Sequence, residues 1–143
     1  MPTTPGPRHT TVRHMELCRF RDEVTPECRR AFFEQIRRLA ELPGIAFSNF
    51  HSGLNASPEG LAAAFDDGFM MDFASWDACF AYLAHPTRQA ISARLIEALQ
   101  GGRAGLLVFD MNLEPHEKPA RNTRALLNQH RDARSSGAAD SRN

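Results

Sequence analysis

Residues 68–90 read Gly68-Phe-Met-Met-Asp-Phe-Ala-Ser-Trp-Asp-Ala-Cys-Phe-Ala-Tyr-Leu-Ala-His-Pro-Thr-Arg-Gln-Ala90, and a change of period inside this stretch sets the fold. Phe69, Met71 and Phe73 recur at every second position, which predicts a strand over residues 68–73 with those three side chains on one face. Ser75 is then placed to cap a helix that runs through Leu83. His85-Pro86 interrupts it, because a residue before proline avoids the α region. A second helical piece follows from Thr87 to Leu99, and Gly101-Gly102 stops it. A fourth strand is expected over residues 104–111.

Working back toward the N-terminus, residues 54–67 read as a loop in which Ser57-Pro-Glu-Gly60 can start a helical turn through Leu61–Ala64. A second strand is expected over residues 45–51, closed by Ser52-Gly53. Before it, Thr25-Pro26-Glu27 carries three helix-start signals: a capping hydroxyl, a proline at the first helical position and an acid at the positive end of the dipole. Cys28, Phe32, Ile36 and Leu39, with Phe33 and Ala40 beside them, form its apolar stripe. Pro43-Gly44 ends it. The first strand, residues 12–20, puts His14, Glu16, Cys18 and Phe20 on one face and Met15 and Leu17 on the other. The order is βαββαβ, an α+β fold of the split ferredoxin-like type with a four-stranded antiparallel sheet.

The chain has 143 residues, of which 42% are hydrophobic, enough for one domain with a packed core. That domain is expected over residues 12–114. Residues 1–11 are rich in Pro and Thr and are expected to form a disordered arm. Residues 115–143 are poor in apolar side chains apart from Ala125-Leu126-Leu127 and are expected to form a disordered tail. Formal net charge is zero, so no electrostatic argument favours a nucleic acid or an anionic membrane as partner. Sixteen basic residues are Arg and only Lys118 is Lys, a bias expected either from a GC-rich bacterial genome or from Arg-based recognition of planar anions. No apolar run reaches the roughly 20 residues of a bilayer span. Three cysteines, Cys18, Cys28 and Cys79, form no metal or redox pattern. With no signal peptide, the expectation is a cytoplasmic protein.

Three segments resemble the stress-responsive α/β-barrel (Dabb) family. Arg13-His-Met-Glu-Leu-Cys-Arg-Phe-Arg-Asp22 is similar to its opening strand, with an early His and a Phe-x-Asp end. Gly68-Phe-Met-Met-Asp-Phe-Ala-Ser75 is similar to its third strand followed by Phe-x-Ser. Tyr82-Leu-Ala-His-Pro-Thr-Arg-Gln-Ala90 is similar to its Tyr-x-x-His-Pro-x-His signature, and Val108-Phe-Asp110 to its closing strand. The likeness covers about 100 residues. It implies a homodimer in which two sheets close into a dimeric α+β barrel. The apolar face of Met15, Leu17, Met70, Leu107 and Phe109 is what such a partner would cover.

The resemblance also implies a pocket between sheet and helices. A plant polyketide cyclase of this family (olivetolic acid-type) closes a linear tetraketide by an aldol reaction. It is similar to this chain at Tyr82 and His85, and its base lies three residues after the His-Pro histidine. Arg88 stands there in this chain. A guanidinium stays protonated and cannot serve as a base, so Arg88 is expected either to clamp an anionic oxygen or to be a solvated helix residue. His14 is then the candidate acid/base with Glu16 as its orienting partner, or the two form a buried structural pair. Tyr82 can hold a substrate oxygen or simply pack. Phe33, Ile36, Phe69, Met71, His85 and Val108 are candidate substrate-binding residues; His85 can alternatively satisfy backbone groups at the helix break. Cys18 has no neighbour that would make its thiol reactive. The six histidines are too scattered for a metal site by spacing.

These readings predict a cofactor-independent, metal-free enzyme of the polyketide cyclase or lyase kind, acting on a small apolar or polyketide-like, enolisable ligand. The alternatives are a non-catalytic dimeric stress or scaffold protein, and a ligand-binding accessory subunit.

Overall fold

A computed structural model describes residues 10–114; residues 1–9 of the expected arm and the expected tail, with Ala125-Leu126-Leu127, lie outside the described residues, while Thr11, expected in the arm, opens the first strand. Within them, the alternation of the first segment is realised in β1 (Thr11–Cys18), whose Val12, His14, Glu16 and Cys18 are all buried. Three more strands, β2 (Ser48–Leu54), β3 (Asp67–Phe73) and β4 (Leu106–Leu113), complete an antiparallel sheet of order β2-β3-β1-β4. This is the ferredoxin-like order, with β1 and β3 at the centre.

The helices are α1 (Pro26–Arg38), α2 (Trp76–Ala84) and α3 (Pro86–Glu97). Each begins where a side chain accepts a backbone N–H that the first turn leaves unpaired. Thr25 Oγ1 accepts from Cys28 at 3.2 Å, Ser75 Oγ from Ala78 at 3.1 Å, and His85 Nδ1 from Thr87 at 3.2 Å. α1 buries Phe33 and Ile36, and Leu39 follows in a short 3-10 turn. Cys28 and Ala40, expected on that buried stripe, are exposed, because they sit in the first turn and beyond the last.

All three helices lie on one face of the sheet. Phe69, Met71 and Phe73 of β3 meet them in a core whose rings stack closely: Phe33–Phe69 at 5.4 Å and Phe73–Tyr82 at 5.2 Å between centroids. Each such fully buried apolar side chain contributes roughly 1.5–3 kcal/mol. The opposite face carries no helix among the described residues. There the register sets Met15 beside Met70 and Phe109, and Leu17 beside Leu107, and Leu17, Leu107, Phe109 and Met111 are each 40–50% exposed.

Several boundaries differ from the sequence expectation. β1 ends at Cys18 rather than Phe20, which makes only an isolated bridge with Leu99. β2 starts later and includes Ser52 and Gly53, because Gly53 pairs with Gly68 and Leu54 with Asp67. A register irregularity between Ser48 and His51 accompanies the positive φ of Asn49, and Ile45 enters the core ahead of the strand. The helical turn through Leu61–Ala64 does not form; Ala63 and Ala64 take left-handed backbone instead. β4 begins at Leu106 because Gly101 and Gly102 turn the chain left-handed into a short 3-10 turn over Gly102–Gly105. Among the described residues no helix is long and apolar enough to cross a membrane.

Candidate active site

Period-two geometry puts His14 and Glu16 two residues apart on the helix-facing side of β1, and both are buried, at 0% and 1% exposure. His14 Nε2 lies 2.8 Å from Glu16 Oε2. Its other nitrogen, Nδ1, lies 2.6 Å from Oδ1 of Asp110. Asp110 reaches it because the β1–β4 register pairs His14 with Asp110 directly. A neutral imidazole has one N–H, so it can donate to only one of these carboxylates. Both bonds form together when the ring is the imidazolium. Burial alone pulls the His14 pKa down, but the hydrogen bonds and charges of Glu16 and Asp110 outweigh it and hold the value above the ordinary histidine range.

A second cation closes the group. Arg88, in the first turn of α3, places a guanidinium nitrogen 3.8 Å from Glu16 Oε2, and its guanidinium carbon lies 5.3 Å from the Tyr82 ring centroid. The four charges, Glu16, His14, Asp110 and Arg88, then cancel, which is what makes their burial tolerable. Tyr82 is 1% exposed, and its phenol is pushed up by burial and by the Glu16 charge, with Arg88 opposing.

Glu16, Tyr82 and Arg88 line a small cavity with Ile36, Ile91, Ser92 and Leu95. Its volume is about 10 Å³, the size of one water molecule. His14 is not among the lining residues. It stands behind Glu16, so the group that presents itself to the cavity is the carboxylate and not the imidazole.

The structure brings His14, Glu16, Tyr82 and Arg88 together. Of the candidate wall residues, Ile36 lines the cavity. Phe33, Phe69 and Met71 are core residues beside it. His85 is not a wall residue: its Nδ1 is committed to the start of α3 and its backbone to Tyr82 and Gln89. Val108 pairs with Glu16 across the sheet but is 49% exposed, because β4 is an edge strand. Asp110, Ile91, Ser92 and Leu95 are the participants that sequence reading missed. Asp110 was the traceable one, since an acid on a closing strand of apolar alternation needs a partner. Cys18 is buried, and burial, with the charges of Glu16 and Asp67, pushes its thiol far up, out of nucleophilic range.

The sequence profile of the stress responsive A/B barrel domain matches residues 12–113. No curated protein matches the chain at a significant level. Among solved structures, a dimeric ferredoxin-like protein of unknown function from Jannaschia sp. is similar with a TM-score of 0.65 and 27% identity, over 72% of this chain and 99% of that one. A second dimeric ferredoxin-like protein of unknown function, from Thermobifida fusca, has a TM-score of 0.56 and 27% identity, over 74% and 93%. Hydroxynitrile lyase from Passiflora edulis shares the fold, with a TM-score of 0.64 and 14% identity, over 76% and 98%.

Proposed function

The chain belongs to the stress responsive A/B barrel domain family, and from the charged group carried on that fold we propose a cofactor-independent enzyme of the polyketide cyclase or lyase kind, which moves a proton at an enolisable carbon of a small apolar, oxygenated substrate. The observation that carries this reading is the fully buried His14 held between Glu16 and Asp110. A purely structural core gains nothing from such a group, because well-packed apolar side chains in place of buried ions are often neutral or stabilising.

In this reading Glu16 Oε2 faces the substrate. It takes the proton as the C–H bond breaks, and the electron pair moves onto the carbonyl oxygen as an enolate. Arg88 and Tyr82 stand where that oxygen would gain charge, so they stabilise it by charge and hydrogen bonding. The proton stays on the Glu16 carboxyl, which His14 holds through Nε2 at 2.8 Å, and Glu16 returns it to the enolate carbon or, after that carbon has attacked a second carbonyl, to the new alkoxide oxygen. Asp110 holds the ring through Nδ1. Arg88, with a side chain 17% exposed, is the movable wall through which the substrate displaces the water-sized cavity.

The same reading includes a homodimer. The helix-free face of Met15, Leu17, Met70, Leu107 and Phe109 is an apolar patch of the kind that partners cover, and two of the similar structures are dimeric.

The size of the cavity favours a second reading, a dimeric scaffold whose charged group is structural. Deuterium exchange at the α-carbons of 2-undecanone in D₂O, followed by mass spectrometry, separates them. The enzyme reading expects exchange above buffer, reduced about a hundredfold by Glu16→Gln and by Arg88→Ala. No exchange above buffer from the folded protein leaves the scaffold.

A further inference from the structure

The cavity beside Glu16 has both the dimensions and the lining of a water site. Its volume of about 10 Å³ is that of one water, and a buried water needs about two to four polar partners. Glu16, Tyr82, Arg88 and Ser92 supply them, and Ile36, Ile91 and Leu95 close the remaining walls. An apolar hole of this size would stay dry; this one has a carboxylate and a guanidinium in its walls.

The periodicity of α3 explains why a hydroxyl stands there. Ser92 follows Arg88 by one helical turn, so the two side chains lie on the same face. Ile91 and Leu95 repeat that spacing and are both buried. The wall that α3 offers to β1 is therefore apolar along one row and polar along the next.

The polar groups divide by what they can do to a water. The Glu16 carboxylate accepts and cannot donate, and the Arg88 guanidinium donates and cannot accept. Burial and the Glu16 charge push the Tyr82 phenol up, so it keeps its proton at neutral pH and donates as well. The Ser92 hydroxyl can do either. In a space one water wide, a water touches these walls together. A base on one side and two donors beside it form the arrangement that general-base attack of water on a carbonyl requires.

What enters decides which reaction follows. An enolisable ketone brings a C–H to Glu16 and displaces the water. A carbonyl compound with a quaternary α-carbon has no proton to give, and its branched acyl group is too wide for the cavity, so the water stays.

We propose that this group is also a hydrolase, in which Glu16 activates a water held in the cavity with Ser92 for attack on a small apolar ester. Hydrolysis rests on Glu16 as the base of the reading above, but it needs no enolate. The water oxygen bonds to the carbonyl carbon while Glu16 Oε2 takes one of its protons. The carbonyl electron pair moves onto the oxygen, which Arg88 and Tyr82 stabilise. As that pair returns, the bond to the ester oxygen breaks, and Glu16 gives its proton to the departing alkoxide. Acid and alcohol leave, Glu16 is a carboxylate again, and a new water fills the cavity.

The ester 4-nitrophenyl pivalate has no α-hydrogen, so it reads hydrolysis alone. Release of 4-nitrophenolate is followed in the full chain carrying Cys28→Ser, which removes the exposed thiol as a competing nucleophile. Repeated turnover above buffer is expected, with one labelled atom in each pivalate when the water carries heavy oxygen. Adding Glu16→Gln is expected to lower the rate about a hundredfold. Adding Ser92→Val, which puts a methyl where the hydroxyl stands, is expected to lower it about tenfold. Ser92→Val keeps every charge of the group, so an unchanged melting curve assigns its loss to the water and not to the fold. Exchange into 2-undecanone without pivalate turnover overturns the hydrolase and leaves the enolising enzyme standing. Pivalate turnover that depends on Glu16 and Ser92, without exchange into 2-undecanone, supports the hydrolase and removes the enolising enzyme. Turnover undiminished in both variants overturns the hydrolase, because a group elsewhere on the protein is then responsible.

Discussion

Asp110→Asn isolates the charge on which the His14 site depends. The amide keeps an oxygen of the same shape opposite His14 Nδ1, so the change removes charge and little else. A hydrogen bond to a charged group contributes about 1.5–3 kcal/mol, against about 0.5–1.5 for a neutral one. The Asp110 side chain is 25% exposed, which places the loss at the lower end, about 1 kcal/mol. For a domain of this size that is a fall in Tm of about 4–8 °C. The loss must depend on pH. The folded His14 value lies above the ordinary one of about 6.5. The stabilisation from its pairing is therefore full below that value and fades as pH rises through the folded pKa. Asp110→Asn lowers the folded value, so the gap between natural protein and variant is widest near pH 6 and narrows toward pH 9. Thermal unfolding by circular dichroism at the two pH values measures it. A gap of the same size at both, or a variant more stable at pH 6, would refute the imidazolium between two carboxylates.

Gly105→Ala is expected to destabilise the domain by about 1–3 kcal/mol in urea unfolding, because a Cβ there would sit 2.6 Å from Gln100 O and 3.1 Å from Arg19 O, both backbone atoms. Phe109→Asp places a charge on the helix-free face. Sedimentation at micromolar concentration is expected to show twice the chain mass for the natural protein and one chain mass for the variant, and an unchanged dimer would remove the barrel arrangement. Thiol titration with a chromogenic disulfide at pH 8 is expected to give one fast equivalent from exposed Cys28. Cys18 and Cys79 should react slowly: both are buried, and burial with the Asp110 charge pushes the Cys79 thiol up to about 11 against an opposing Arg88.

The hydrophobic pattern carried most of the architecture. Alternation over residues 12–18 and 68–73 told which side chains face the helices, because in a strand that choice has a fixed period of two. Thr25, Ser75 and His85-Pro86 marked three helix starts, because capping is satisfied within a few residues of sequence. Boundaries failed where neighbouring strands decided them. Ser52 and Gly53 look like a turn in isolation, and only pairing with Phe69 and Gly68 draws them into β2. Leu61–Ala64 has helix-forming composition, but its contact with Arg19 holds Ala63 and Ala64 in left-handed backbone.

For the site, the sequence by itself determined that His14 and Glu16 share a buried face, since they are two residues apart on one strand. It also determined that Arg88 cannot be the base at its position, since that follows from the guanidinium alone. Only the tertiary structure decided that Asp110, 96 residues away, receives the second nitrogen of His14, that Arg88 comes within 3.8 Å of Glu16, and that Glu16 rather than His14 borders the cavity. It alone set Gly53 against Gly68 across β2 and β3. These are matters of register between strands and of how a helix lies on a sheet. Such contacts close long loops of chain and are selected by the packing of the whole core, so no period or spacing within one segment encodes them.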